Sequence, residues 1–103
     1  MINCIIVDDE EYAIEILEDY IKSTPLKLSA SFTNPLHALS FLKENDIDLV
    51  FLDVQMPELT GMEFIELIDK KITTIITTGH VDFAKASFDQ NAIDFLLKPF
   101  TIR

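Results

Sequence analysis

Glycine occurs only twice in 103 residues, at Gly61 and Gly79. The chain therefore has no glycine-rich phosphate loop and no dinucleotide fingerprint, each of which needs several closely spaced glycines. Cysteine occurs once, at Cys4 inside an apolar run. No internal disulfide can staple the fold, and a reducing, cytoplasmic interior is the expected setting. Basic residues are scarce: eight Lys and Arg stand against eighteen Asp and Glu, for a formal net charge of -10. That balance excludes nucleic-acid binding by phosphate neutralisation and attraction to an anionic membrane surface. It suits divalent cations or basic partners. No apolar run approaches the ~20 residues of a membrane span. The N-terminus has no basic stretch before its apolar run and meets acids by Asp8, so it does not read as a signal peptide.

What is present is enough for one core. The chain is 49% hydrophobic with eight Phe, which fits a single globular domain over residues 1–103. Asn3 to Val7 is a short apolar run rich in β-branched residues, the pattern of a strand buried on both faces. From Glu11 to Ser23, Ala13, Ile14, Leu17, Tyr20 and Ile21 recur at helical spacing, and Pro25 stops the helix. Lys27 to Phe32 alternates as an edge strand would. Thr33-Asn34-Pro35 starts a second helix, with Leu36, Leu39 and Leu42 along it to about Glu44.

Ile47 to Leu52 predicts a third strand, ending at Asp53. A helix over Met62 to Lys71, with Met62, Ile65 and Ile68 inward, leads to a strand over Thr73 to Thr78. A short helix over Asp82 to Gln90 and a last strand over Ile93 to Leu97 complete the pattern. This βαβαβαβαβ order predicts an α/β fold with an open, doubly wound, five-stranded parallel sheet.

In such sheets, sites form beyond the carboxyl ends of the strands, near the point where strand order reverses. The polar residues at those ends are Asp8 and Asp9, Asp53, Thr78 and Lys98. Three carboxylates and one ammonium leave two negative charges, which suits a divalent metal. Oxygen ligands without His or Cys point to Mg2+ or a similar hard ion. The same acids also fit solvated strand ends or helix caps, most readily for Asp9 and Glu10. Asp53 is harder to explain that way, because it follows an apolar strand and precedes a loop.

Four segments, VDDE at Val7–Glu10, LDVQMPELTG at Leu52–Gly61, TTGH at Thr77–His80 and LLKPF at Leu96–Phe100, together resemble the receiver domain of two-component response regulators. The likeness spans nearly the whole chain, in order. NAIDFLLKPF at Asn91–Phe100 most resembles receivers that precede LytTR-type DNA-binding domains. The resemblance implies a flavodoxin-like sheet of strand order 2-1-3-4-5. It also implies a signalling switch, not an enzyme, that takes a phosphoryl group from a sensor histidine kinase or phosphotransfer protein.

Residue by residue, the resemblance makes Asp53 the phosphoacceptor. Asp8, Asp9, Asp53 and the backbone carbonyl of Gln55 would hold Mg2+, and Thr78 and Lys98 would contact phosphoryl oxygens. Phe95 stands where such domains carry a switching aromatic, and equally reads as a plain strand phenylalanine. Pro99 stands where they often have a cis peptide. Gln55 and His80 occupy positions that tune the phosphoryl lifetime, although His80 also fits a solvated loop histidine. His37 and Cys4 read as structural.

Two other classes compete. An Mg2+-dependent phosphatase or phosphotransferase with an aspartate nucleophile would want D-x-D after the first strand, and here the acids are adjacent. A degenerate receiver would lack part of the set Asp8, Asp9, Asp53, Thr78 and Lys98, which is intact. Only Thr101, Ile102 and Arg103 follow Phe100. The expectation is thus a C-terminally truncated receiver without its final helix, with an output domain downstream and a tendency to self-associate.

Overall fold

The computed structural model describes residues 1–53 and 56–77 in full, and Thr78 and residues 94–97 through their backbone. The chain forms β1 (Asn3–Val7), α1 (Glu11–Lys22), β2 (Lys27–Phe32), α2 (Pro35–Glu44), β3 (Leu49–Asp53), α3 (Gly61–Leu67), β4 (Thr73–Thr78) and β5 (Asp94–Leu97). The strands make one sheet of order β2-β1-β3-β4-β5, with every pairing parallel. The expected helix over Asp82 to Gln90 and the end of the chain, where the final helix was expected to be missing, lie outside the described residues.

Side chains alternate across the two central strands and fill both faces. Cys4, Ile6, Leu49 and Phe51 meet Ile14, Leu17 and Ile21 of α1 on one face. Ile5, Val7, Val50, Leu52 and Ile76 meet Ala38 of α2 and Phe64 and Ile65 of α3 on the other. β1 and β3 have helices on both sides, which is why their sequences read as unbroken apolar runs. β2 alternates because it is the edge, and its register slips once against β1, between Cys4 and Ile5.

The helix starts follow local chemistry. The Asn34 side chain accepts from the Leu36 amide at 2.9 Å, with Pro35 in the first helical position. Thr60 and Glu63 make a capping box at α3: Glu63 N–H donates to Thr60 Oγ1 at 3.2 Å, and Thr60 N–H donates to Glu63 Oε1 at 3.0 Å.

Several boundaries and core positions differ from those predicted. β3 begins at Leu49, not Ile47, although its bonding to both neighbouring strands starts at Asp48. The Asp48 amide donates to the Asn3 carbonyl and its own carbonyl accepts from the Thr73 amide, both at 2.9 Å. Ile47 is buried all the same. α3 ends at Leu67, not Lys71. Ile68 is extended, and Asp69 closes a turn by accepting the Lys71 amide at 2.9 Å. Its core residues are Phe64 and Ile65, while Met62 is half-buried.

Tyr20 and Leu36, assigned inward by spacing, are 39% and 50% exposed. Each lies just off the stripe its helix buries, which runs through Leu17 and Ile21 in α1 and through Ala38 in α2. His37 is exposed on α2, outside the core.

Candidate functional site

Strand order reverses at β1 and β3: the chain leaves β1 toward β2 on one side and returns to β3 on the other. A crevice beyond the carboxyl ends of these two strands is where an open α/β sheet places its site. Asp8 follows β1 directly and Asp53 is the last residue of β3.

Backbone bonds fix Asp8. Its amide donates to the Phe32 carbonyl at 3.0 Å, tying the end of β1 to β2. Its Oδ1 accepts the Glu10 amide at 2.9 Å, which turns the chain into α1. Asp8 is 0% and Asp53 3% exposed. Asp53 stands in register with Thr77 of β4. Two carboxyl groups are thus taken out of water at adjacent strand ends, a costly arrangement unless cationic partners or hydrogen bonds offset it.

Carboxylate oxygens of Asp8, Asp9, Glu10 and Asp53 lie within 4.8 Å of one another. Asp8 and Asp53 form the buried floor; Asp9 and Glu10 are the exposed rim. Hard oxygen donors at this spacing fit a small divalent cation such as Mg2+, which takes one or two carboxylates and keeps several waters. Three of these four are the acids singled out in the sequence. Glu10 was assigned to a cap or to solvent; it occupies the N-cap of α1 but makes no side-chain capping bond, and its carboxylate belongs to the cluster.

Thr77, the register partner of Asp53, is not among the residues singled out in the sequence. Its signal was parity: it follows Ile75 by two, as Asp53 follows Phe51 and Asp8 follows Ile6, so all three share the face under α1. Among the other sequence candidates, Thr78 ends β4 in register with Leu97, and Phe95 sits in β5 opposite Ile76. Gln55, His80, Lys98 and Pro99, together with the side chains of Thr78 and Phe95, lie outside the described residues. Cys4 is fully buried in the core, and burial pushes its thiol pKa up, in keeping with a packing role.

Residues 4–103 match the family model of the response regulator receiver domain. An uncharacterized response regulatory protein of Shewanella oneidensis is 38% identical over 102 residues, covering 96% of this chain and 43% of that protein. The transcriptional regulatory protein BtsR of Escherichia coli is 30% identical over the same length, again covering 96% and 43%. The chain thus spans under half the length of these relatives. A chain in the crystal structure of the CheX-CheY-BeF3-Mg2+ complex from Borrelia burgdorferi superposes with a TM-score of 0.88 and 25% identity, covering 97% of this chain and 80% of that one.

Proposed function

The chain belongs to the response regulator receiver domain family, and on that premise we propose that it is a switch phosphorylated on Asp53. The observation that carries this reading is the pair of buried carboxyl groups, Asp8 and Asp53, on adjacent strand ends with their oxygens within 4.8 Å. Aspartate held there is a nucleophile confined to one approach, beside a cluster suited to a hard cation. Phosphoryl transfer asks a protein for little more than in-line positioning and charge stabilisation.

In the proposed reaction an Asp53 carboxylate oxygen attacks the phosphorus of a partner's phosphohistidine. The new O–P bond forms as the P–N bond breaks, and the imidazole leaves with the N–P electron pair and takes up a proton. Asp8, Asp9, Asp53 and the Gln55 carbonyl would hold Mg2+, which supplies positive charge for the phosphoryl oxygens. Thr78 donates its hydroxyl to one phosphoryl oxygen, and the Lys98 ammonium pairs with another. The phosphoryl group brings extra negative charge and strong acceptor oxygens to the end of the sheet. Those acceptors draw Thr78 and Lys98 inward, and Phe95 follows through packing. Gln55 and His80, two residues beyond Asp53 and Thr78 respectively in sequence, tune the adduct's lifetime in this reading.

The partner that delivers the phosphoryl group is a sensor histidine kinase or phosphotransfer protein, and the setting is cytoplasmic. No helix among the described residues is long and apolar enough to cross a membrane. Output runs through a DNA-binding domain of LytTR type beyond Arg103. Three things support that output: the likeness of NAIDFLLKPF to such receivers, the E. coli relative being a transcriptional regulatory protein, and the 43% share of that relative which the chain covers. Self-association of the receiver belongs to the same proposal.

The test is incubation with acetyl phosphate and Mg2+, read by intact mass. One phosphoryl adduct on the wild type and none on Asp53→Asn is the expected result. Turnover of acetyl phosphate without an adduct would favour a phosphatase, and inertness would mark a degenerate receiver.

A further inference from the structure

Thr77 is 0% exposed, and its Oγ1 has no hydrogen-bond partner among the described residues. A buried hydroxyl in that state is disfavoured, since its bond to water is lost and nothing replaces it. Valine would fill the same space in a strand without that cost, so packing gives no reason for threonine here. Its position supplies one. Thr77 is the register partner of Asp53, and one step beyond the Val7–Leu52 pair the ladder brings Asp8 level with Asp53. Asp8, Asp53 and Thr77 thus form one row across β1, β3 and β4. All three stand on the face lined by Ile6, Phe51 and Ile75, and the row includes both buried members of the carboxylate cluster.

We infer that Thr77 is a positioning residue for Asp53: when the pocket is filled, its hydroxyl donates to the Asp53 carboxyl oxygen on the β4 side, leaving the other oxygen to carry the phosphoryl group. This rests on the phosphoacceptor reading of Asp53 and adds a second hydroxyl to that site, distinct from Thr78. Filling the pocket fixes the rotation of the Asp53 carboxyl group. In an acyl phosphate one carboxyl oxygen bridges to phosphorus; the other, which would also serve Mg2+, keeps a second lone pair that a neighbouring hydroxyl can hold. The bond then contributes only in the filled state, so it favours that state over the empty one.

The test compares wild type, Thr77→Val and Thr77→Ser in beryllofluoride uptake at saturating Mg2+, followed by 19F NMR, with melting temperatures taken in EDTA. Valine keeps the shape and deletes the donor; serine keeps the donor. A hydrogen bond to a charged or strongly polar acceptor predicts roughly tenfold weaker uptake for Thr77→Val. Thr77→Ser should stay close to wild type, and Thr77→Val should melt in EDTA at or above the wild-type temperature. Wild-type affinity in Thr77→Val overturns the inference. So does a loss of affinity accompanied by a lower melting temperature in EDTA, which marks a structural role. Failure of the wild type to take up beryllofluoride overturns the phosphoacceptor reading itself, and this inference with it.

Discussion

Replacing Asp53 by Asn should stabilise the metal-free protein and abolish most of its response to Mg2+. Asp8 and Asp53 are both buried, and their carboxylate oxygens approach within 4.8 Å. At an effective dielectric of about 20, two unit charges at that separation repel by about 3.5 kcal/mol. Solvent, counter-ions and hydrogen bonds offset much of this, leaving an expected net gain of about 1–2 kcal/mol when one charge is removed. For a domain of this size each kcal/mol moves the melting temperature by roughly 4–8 °C.

Mg2+ should act in the opposite sense on the wild type. A ligand at a hundredfold excess over its Kd stabilises the folded state by about 2.7 kcal/mol. Asp53→Asn should forfeit most of that, having lost one anionic ligand. Scanning calorimetry in EDTA and in Mg2+, at matched ionic strength, reads both effects. An Asn variant that melts at or below the wild type in EDTA, with its Mg2+ shift intact, would refute the picture of a strained acidic pocket.

Other expectations follow from the same contacts. Phe64→Ala empties the largest fully buried side chain among the described residues, in the core under α2 and α3, and should cost about 3–5 kcal/mol, read as an earlier urea midpoint. Thr60→Ala breaks the capping box of α3 and should cost about 1 kcal/mol near neutral pH. The Glu63 carboxyl is held below its ordinary value of 4.5 by its bonds to Thr60. Its contribution is therefore full above that value and is lost as pH falls through the lowered folded pKa. The Thr60→Ala penalty should accordingly shrink in acid; a penalty that grows below pH 4.5 would contradict the sign.

Much of the fold was legible because the physics was local. Asn3–Val7 and Lys27–Phe32 were bounded correctly by their apolar patterns, and Pro35–Glu44 by its cap and proline. Boundaries shifted where hydrogen bonds outside the apolar pattern decided them. Ile47 is apolar and buried, yet the backbone bonds to Asn3 and Thr73 are made by Asp48, one residue further on. Ile68 keeps the helical period and is buried, yet the Asp69 turn has already ended α3.

The site divided in the same way. Asp8, Asp9 and Asp53 stood out as the places where apolar strands give way to acid. Glu10 looked like any acid at a helix start, and only the turn at Asp8 folds it toward the cluster. Thr77 was hidden inside TTIITT, where composition does not say which threonine shares a face and level with Asp53. That depends on the register of β3 against β4, which no local pattern encodes.

The central claim is that Asp53 takes the phosphoryl group, and mapping the adduct tests it most directly. The protein is phosphorylated with acetyl phosphate and Mg2+, reduced with borohydride to convert an acyl phosphate to homoserine, and digested for peptide mass spectrometry. The account predicts homoserine at residue 53 and at no other carboxylate, and none when EDTA replaces Mg2+. Homoserine at Asp8 or Asp9 with Asp53 unmodified would contradict it.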